Sequence, residues 1–194
     1  MNPTTVGECP KLLQILIDLA VTEFERCTED QVEPAIFIYT PSRINVHGRD
    51  EWCVDTVGPL VNNHKHLIKQ RMVNFVKLIP DLQAIAFVHE VIGITAHVSG
   101  PEEAKRITAE ARAVGLKNHP LRKESLSICY ETREEIIQCH AEIQPAINGR
   151  RTLGPWQFIR MTYAEWREGL ARMDMDAMQI RFCGTFDKAA RMGG

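Results

Sequence analysis

The chain has 194 residues, 44% of them hydrophobic and 25% charged, which fits one compact domain with a single core. A formal net charge of −2 and an isoelectric point near 6.4 lack the basic excess that is typical of proteins that bind nucleic acid or anionic membranes. No run approaches the roughly 18 consecutive apolar residues of a membrane span, and the N-terminal residues lack the basic start and apolar core of a secretory signal. We therefore expect a cytoplasmic protein.

The first part of the chain predicts two amphipathic helices with a strand between them. Apolar residues recur at three- and four-residue steps over residues 10–27 and 61–79, which places them on one side of a helix. β-Branched and aromatic residues over 33–40 predict a strand, and "INVHG" after it is a candidate hairpin partner. The segment around Trp52 predicts a loop that contains a short strand.

The segment Leu82–Ala96 is the most apolar strand candidate, because apolar residues occupy both alternating positions. A strand buried on both faces belongs in the middle of a sheet. A helix is predicted next, with Ser99 and Glu102 as a capping box and Gly115 as its end.

The rest of the chain predicts a hairpin with a turn at residues 132–135, and then a strand over 154–161. Thr162 and Glu165 form a second capping box before another helix. Residues 187–194 are expected to fray. The whole pattern predicts one α+β domain, residues 1–194, with one mainly antiparallel sheet of about four to six strands packed against three or four helices.

Short motifs over residues 84–156 carry a resemblance. Their residues are Glu90 at the end of the apolar strand, Pro120, Arg122, Glu124 and Leu126 at alternate positions, and the pair Leu153-Gly154. This arrangement is similar to a group of small uncharacterised bacterial and phage proteins. The chain departs from the group at His89, where a small residue is expected, and in the helix-forming insert from Ser99 to Gly115. The resemblance implies a bacterial or viral origin and supports the α+β fold, and the group lends no activity.

The six cysteines include no Cys-x-x-Cys pair and no nearby histidine at zinc-finger spacing. Cys129 and Cys139 lie in apolar strands, where a free cysteine packs as a small hydrophobic residue. We expect plain thiols, since a disulfide scaffold is unusual at this size in a reducing compartment.

Glu90 needs an explanation, because it is a carboxylate in a buried strand. A zinc-protease motif is excluded: Gly93 stands where the second histidine is required, and the motif needs a helix. The structural interpretation pairs Glu90 with Arg122, whose guanidinium can donate two parallel hydrogen bonds to a carboxylate, with Glu124 sharing that arginine. The functional alternatives are a metal site of Glu90 with His140 and Glu142, or a catalytic group of Glu90, Arg122 and His140.

Other candidates are weaker. His64 and His66 lie on different sides of a helix, and His119 is expected to be an ordinary surface histidine in a loop. Asp174 and Asp176 resemble half of a calcium loop without its glycine and distal glutamate. Neither a phosphate-binding glycine loop nor a Gly-x-Ser-x-Gly turn is present, so no cofactor is predicted.

These observations leave three hypotheses. The leading one is a non-enzymatic module that binds a protein partner or forms a homo-oligomer, supported by three tryptophans, seven methionines and open sheet edges. Three of these methionines, Met173, Met175 and Met178, are more typical of core filling than of a contact surface. The alternative is a small hydrolase centred on Glu90, with or without a metal. Nucleic-acid binding, which is not expected, would need arginines from separate turns to converge: Arg43, Arg49, Arg150 and Arg151.

Overall fold

The computed structural model describes residues 9–27, 31–41, 52–56, 65–94, 99–147, 150–172 and 182–192. These residues form one six-stranded antiparallel sheet in the order β2-β1-β3-β4-β5-β6. The strands are β1 Ala35–Tyr39, β2 Cys53–Thr56, β3 Ala84–Ile94, β4 Arg122–Thr132, β5 Glu135–Ile147 and β6 Arg150–Thr162. This confirms the α+β fold with an antiparallel sheet.

The described part of the chain contains five α-helices. They are α1 Lys11–Arg26, α2 Lys65–Leu78, α3 Pro101–Val114, α4 Tyr163–Arg172 and α5 Thr185–Arg191. None of them is long and apolar enough to cross a membrane. The last helix corrects the prediction of a frayed tail from residue 187, because Phe186 and Ala189 are buried.

One face of the sheet, the α1 face, is covered by α1. Buried residues of α1 recur at three- and four-residue steps, as the sequence predicts: Leu13, Leu16, Ile17, Ala20 and Phe24. They pack against alternate residues of the central strands: Ala84, Ala86 and Val88 on β3, and Leu126, Ile128 and Tyr130 on β4. Each buried apolar side chain contributes about 1.5–3 kcal/mol, so this contact fixes the position of α1.

The opposite face, the α2 face, is covered by α2 and α5. Its core combines Ile68, Met72 and Val73 of α2 with Ile85 and Phe87 of β3. Residues of the C-terminal segment complete it: Phe182, Phe186 and Ala189. Residues 84–89 of β3 are therefore buried on both faces, which confirms the prediction of a central strand.

Local signals have mixed outcomes. Thr162 and Glu165 form the predicted capping box, since the Thr162 N–H donates to Glu165 Oε2 at 2.8 Å and the Glu165 N–H donates to Thr162 Oγ1 at 3.2 Å. Ser99 instead contacts Glu103, at 2.6 Å from its hydroxyl, and Glu102 is not the partner. The helix begins at Pro101, one position later than a Ser99 cap requires. The candidate hairpin partner "INVHG" lies outside the described residues.

Candidate functional site

Glu90 lies on the α1 face and holds four segments together. Its Oε2 accepts a hydrogen bond from Arg151 Nη1 at 2.9 Å, and its Oε1 accepts the Val32 N–H at 2.9 Å. The Arg151 guanidinium also donates to the carbonyl of Cys27 and lies over the Phe24 ring, 4.9 Å from its centroid. Glu90 and Arg151 side chains are only 5% and 17% exposed. The pair therefore joins β3, β6, the end of α1 and the segment before β1.

The predicted partner of Glu90, Arg122, is the wrong arginine. The register pairs Arg122 with Ile94, four residues beyond Glu90 on the same strand. Arg122 donates instead to the carbonyl of Lys117 at 2.6 Å and lies 4.0 Å from Glu124. The expected proximity of Glu124 to Arg122 is thus present, but this pair is separate from Glu90.

The structure does not bring Glu90 together with His140 and Glu142. Across the sheet, Glu90 pairs with Leu126 and Leu126 with Ala141, so these residues share the α1 face. His140 and Glu142 flank Ala141 and point to the other face, because side chains alternate along a strand. Glu142 forms an ion pair with Lys123 at 2.7 Å. Neither the predicted metal set nor the predicted catalytic group is assembled.

His140 belongs to a polar row that crosses the α2 face. The register aligns His89, Ser127, His140 and Gln157 on four neighbouring strands. His89 is buried, with its ring stacked on Phe87 at a centroid distance of 4.6 Å. The row places His140 at the half-buried margin of this face, away from Glu90.

The most concentrated chemistry on the α2 face surrounds Glu131 of β4, which is fully buried. Its carboxylate accepts hydrogen bonds from the Thr185 N–H at 2.6 Å, the Thr185 hydroxyl at 2.8 Å and the Tyr163 hydroxyl at 3.3 Å. Burial raises the pKa of Glu131, and the nearby Lys69 and these hydrogen bonds oppose that rise. The carboxylate fixes the start of α5 and the start of α4 to the sheet.

Lys69 of α2 neutralises this buried carboxylate. Its Nζ lies 3.9 Å from Glu131 Oε1. The ammonium donates to three oxygens of the segment that enters α5: the carbonyls of Phe182 and Cys183 and the hydroxyl of Thr185. Burial lowers the pKa of Lys69 to about 8, against the opposing effect of Glu131. The three oxygen acceptors satisfy the hydrogen-bonding capacity of the ammonium.

Two cysteines adjoin Glu131. Cys129 lies two residues before it on the same face of β4 and forms a disulfide with Cys183, 54 residues away. Gln138 Nε2 donates to Cys183 Sγ at 3.1 Å. This pairing corrects the expectation that Cys129 is a plain thiol. Cys139 is the buried free thiol that the sequence predicts, with a pKa raised by burial.

The ligand atoms of Cys129, Glu131 and Cys183 lie within 4.8 Å of one another. In the described ranges, no other trio of histidine, cysteine, aspartate or glutamate residues is that compact. Sequence reasoning missed this cluster, which we call the Cys–Glu cluster. Its signal was the Cys129-x-Glu131 spacing, which puts both side chains on one face of a strand.

Several sequence candidates lie outside the described residues: Arg43, Arg49, His64, Asp174, Asp176, Met173, Met175 and Met178. His119 corrects the expectation of a surface histidine, because it is buried and its Nδ1 accepts the Leu121 N–H at 3.1 Å. Trp52 is also buried, so this tryptophan does not provide a contact surface.

Comparisons with known proteins give no relative: no protein-family model, curated protein or solved structure matches the chain.

Proposed function

We propose that the protein is a non-enzymatic module that self-associates through the outer edge of β6. Its two buried carboxylates support this choice over catalysis, since Glu90 and Glu131 each accept hydrogen bonds that join separate segments of the fold. The hydrolase alternative lacks support, because Glu90 and His140 lie on opposite faces of the sheet. A cytoplasmic location and a bacterial or phage origin belong to the same proposal.

The observation that carries the proposal is the edge of β6. This strand is 13 residues long and pairs with β5, and no described strand pairs with its other side. An open edge presents unpaired N–H and C=O groups to another strand. Ile159, in the second half of β6, is 49% exposed. A long edge with an exposed apolar residue is a favourable surface for strand addition.

The occupant that best fits this edge is a second copy of the same strand. Pro155 has no N–H to donate and limits pairing to the residues after it. An antiparallel pair of β6 strands centred on Ile159 aligns residues 156–162 of the two copies. Phe158 of one copy then lies opposite Arg160 of the other, an attractive cation–aromatic pair. The two Ile159 side chains meet on the axis, and no like charges are opposed.

Sedimentation equilibrium over a wide concentration range tests the proposal. We expect a dimer for the parent chain. Ile159→Lys places two like charges opposite each other, so it should weaken dimerisation by at least about tenfold. The matched control is Leu78→Lys on α2, because Leu78 is 77% exposed and its helix covers β1 and β3. This control should dimerise like the parent.

A parent chain that is monomeric at every concentration would overturn the proposal. Equal weakening by Ile159→Lys and Leu78→Lys would also contradict it, because the effect would then come from net charge and not from the β6 edge. Circular dichroism of each variant establishes that the fold is retained.

A further inference from the structure

We propose that the reduced protein binds one Zn²⁺-type cation at the Cys–Glu cluster. Cys129 and Glu131 come from one face of β4, and Cys183 comes from the segment before α5. Two thiolates and one carboxylate are a donor set that zinc accepts in proteins. All three residues are buried, as is typical of a closed structural site. The inference goes beyond self-association and does not depend on it.

The carboxylate of the cluster is already oriented by neighbouring donors. Thr185 donates through its N–H and its hydroxyl, and Tyr163 donates through its hydroxyl. Metal-binding carboxylates in proteins are generally held by such outer hydrogen bonds. The site therefore has the outer donors that a carboxylate ligand needs.

Gln138 is an independent indication at the sulfur side. Its amide N–H lies 3.1 Å from Cys183 Sγ, and a thiolate is a strong acceptor for such a donor. This hydrogen bond would stabilise Cys183 as a thiolate ligand, as the outer donors of metal sites do.

Charge balance also favours a divalent cation. The site has no net charge when it holds two thiolates, one carboxylate, one divalent cation and the ammonium of Lys69. Lys69 lies 3.9 Å from Glu131 and donates to the carbonyl of Cys183. A buried group of charges is tolerated only when it is compensated in this way.

Metal binding and the disulfide exclude each other. Two small thiols of a reducing environment reduce the Cys129–Cys183 disulfide to two protein thiols. They supply the two electrons and two protons, and are themselves joined in a new disulfide. The cation then displaces both thiol protons to solvent as the two sulfur–metal bonds form. The oxidised chain holds a disulfide, and the reduced chain holds the cation.

Cobalt(II) titration of the full chain tests the inference, because a thiolate–cobalt bond gives a charge-transfer absorption that free cobalt lacks. The chain is first reduced by a phosphine under anaerobic conditions. The phosphine is oxidised to its oxide with the oxygen atom of a water molecule, and the disulfide becomes two thiols. No small thiol is added that could compete for the metal. We expect one equivalent of Co²⁺ with this absorption, displaced by Zn²⁺. Cys129→Ser and Cys183→Ser should abolish the band, and Glu131→Gln, which removes a charged ligand, should weaken binding; Thr185→Ala, which removes an outer donor to that ligand, should weaken it by about 10–100-fold.

Cys139→Ser is the matched control, since Cys139 is buried on β5 but lies on the α1 face. It should bind cobalt like the parent. A reduced parent chain that shows no charge-transfer band would overturn the inference, and so would equal loss of the band in Cys139→Ser. If thiol counting shows that the pair resists reduction and no cobalt binds, the inference also fails, because the metal-binding state is then not reached.

Discussion

Replacing Glu90 by glutamine should destabilise the protein strongly. The change removes the charge that pairs with Arg151 at 2.9 Å, while both side chains stay largely buried. An arginine left without its carboxylate in such a place costs about 3–5 kcal/mol. At about 2–4 °C per kcal/mol for a chain of this length, the midpoint of thermal unfolding should fall by about 6–20 °C.

The assay is chemical denaturation of four proteins, which gives a double-mutant cycle. These are the parent, Glu90→Gln, Arg151→Met and the double variant. Because removing both partners leaves no unpaired charge, the double variant should be less destabilised than the sum of the two single variants, by at least about 1 kcal/mol. Glu124→Gln is the control, since Glu124 lies 4.0 Å from Arg122 in a more exposed pair, and it should change stability by less than about 1 kcal/mol.

A Glu90→Gln variant as stable as the parent would refute this reasoning. The fold would then not need the charge, and Glu90 would not be a structural residue. Additive single variants would also contradict it, because they would show that Glu90 and Arg151 do not interact.

Two further predictions concern local structure. Gly184→Ala should lower the free energy of unfolding by about 2–5 kcal/mol in denaturant titration, because Gly184 has φ +77° and an added Cβ would overlap the Trp166 ring. The control is Gly115→Ala, which should lower it by only about 1–2 kcal/mol, since Gly115 has φ +79° but no close contact. Equal losses in the two variants would contradict the packing argument. Hydrogen bonds from Thr162 lower the pKa of Glu165. The ionised Glu165 therefore adds to the free energy of unfolding at pH values above its unfolded pKa, and this contribution is lost as the pH falls through its folded pKa. The stability difference between the parent and Glu165→Gln should therefore shrink below about pH 4.5, and a difference that is constant across this range would exclude the capping box as its cause.

Local patterns in the sequence were sufficient for most elements. Apolar residues at both alternating positions identified β3, and the Thr162/Glu165 spacing identified the start of α4. The turn at 132–135 also lies where it was expected, between β4 and β5. These signals act within a few residues, so they can be read without knowing the rest of the fold.

The partner of Glu90 could not be read in the same way. Arg151 reaches Glu90 because β6 pairs with β5, and that pairing is shifted between Ala141 and Ile143 and again between Gln144 and Ile147. A register shift of one residue changes which side chains share a face. No local pattern in the sequence locates these irregularities, so the sequence favours Arg122, the arginine that lies nearer in the chain, as the partner of Glu90.

The Cys–Glu cluster escaped prediction for a different reason. Cys183 lies 54 residues from Cys129, and the helix after it, α5, has only seven residues. Its apolar residues are too few to reveal helical spacing. The sequence therefore gives no sign that the segment carrying Cys183 packs on the sheet, and Cys129 has no visible partner in it.

The hydrogen bonds between Glu131 and Thr185 also have a temporal consequence. A ribosome makes the chain from the N-terminus, so Glu131 is synthesised 54 residues before the threonine that satisfies it. Until then, Lys69 lacks its oxygen acceptors at Phe182 and Cys183, and the side of Phe87 that packs on Phe182 stays uncovered. A nascent chain paused before residue 182 would therefore display an apolar surface with the uncovered Lys69–Glu131 pair at its edge, which is the kind of surface that chaperones bind.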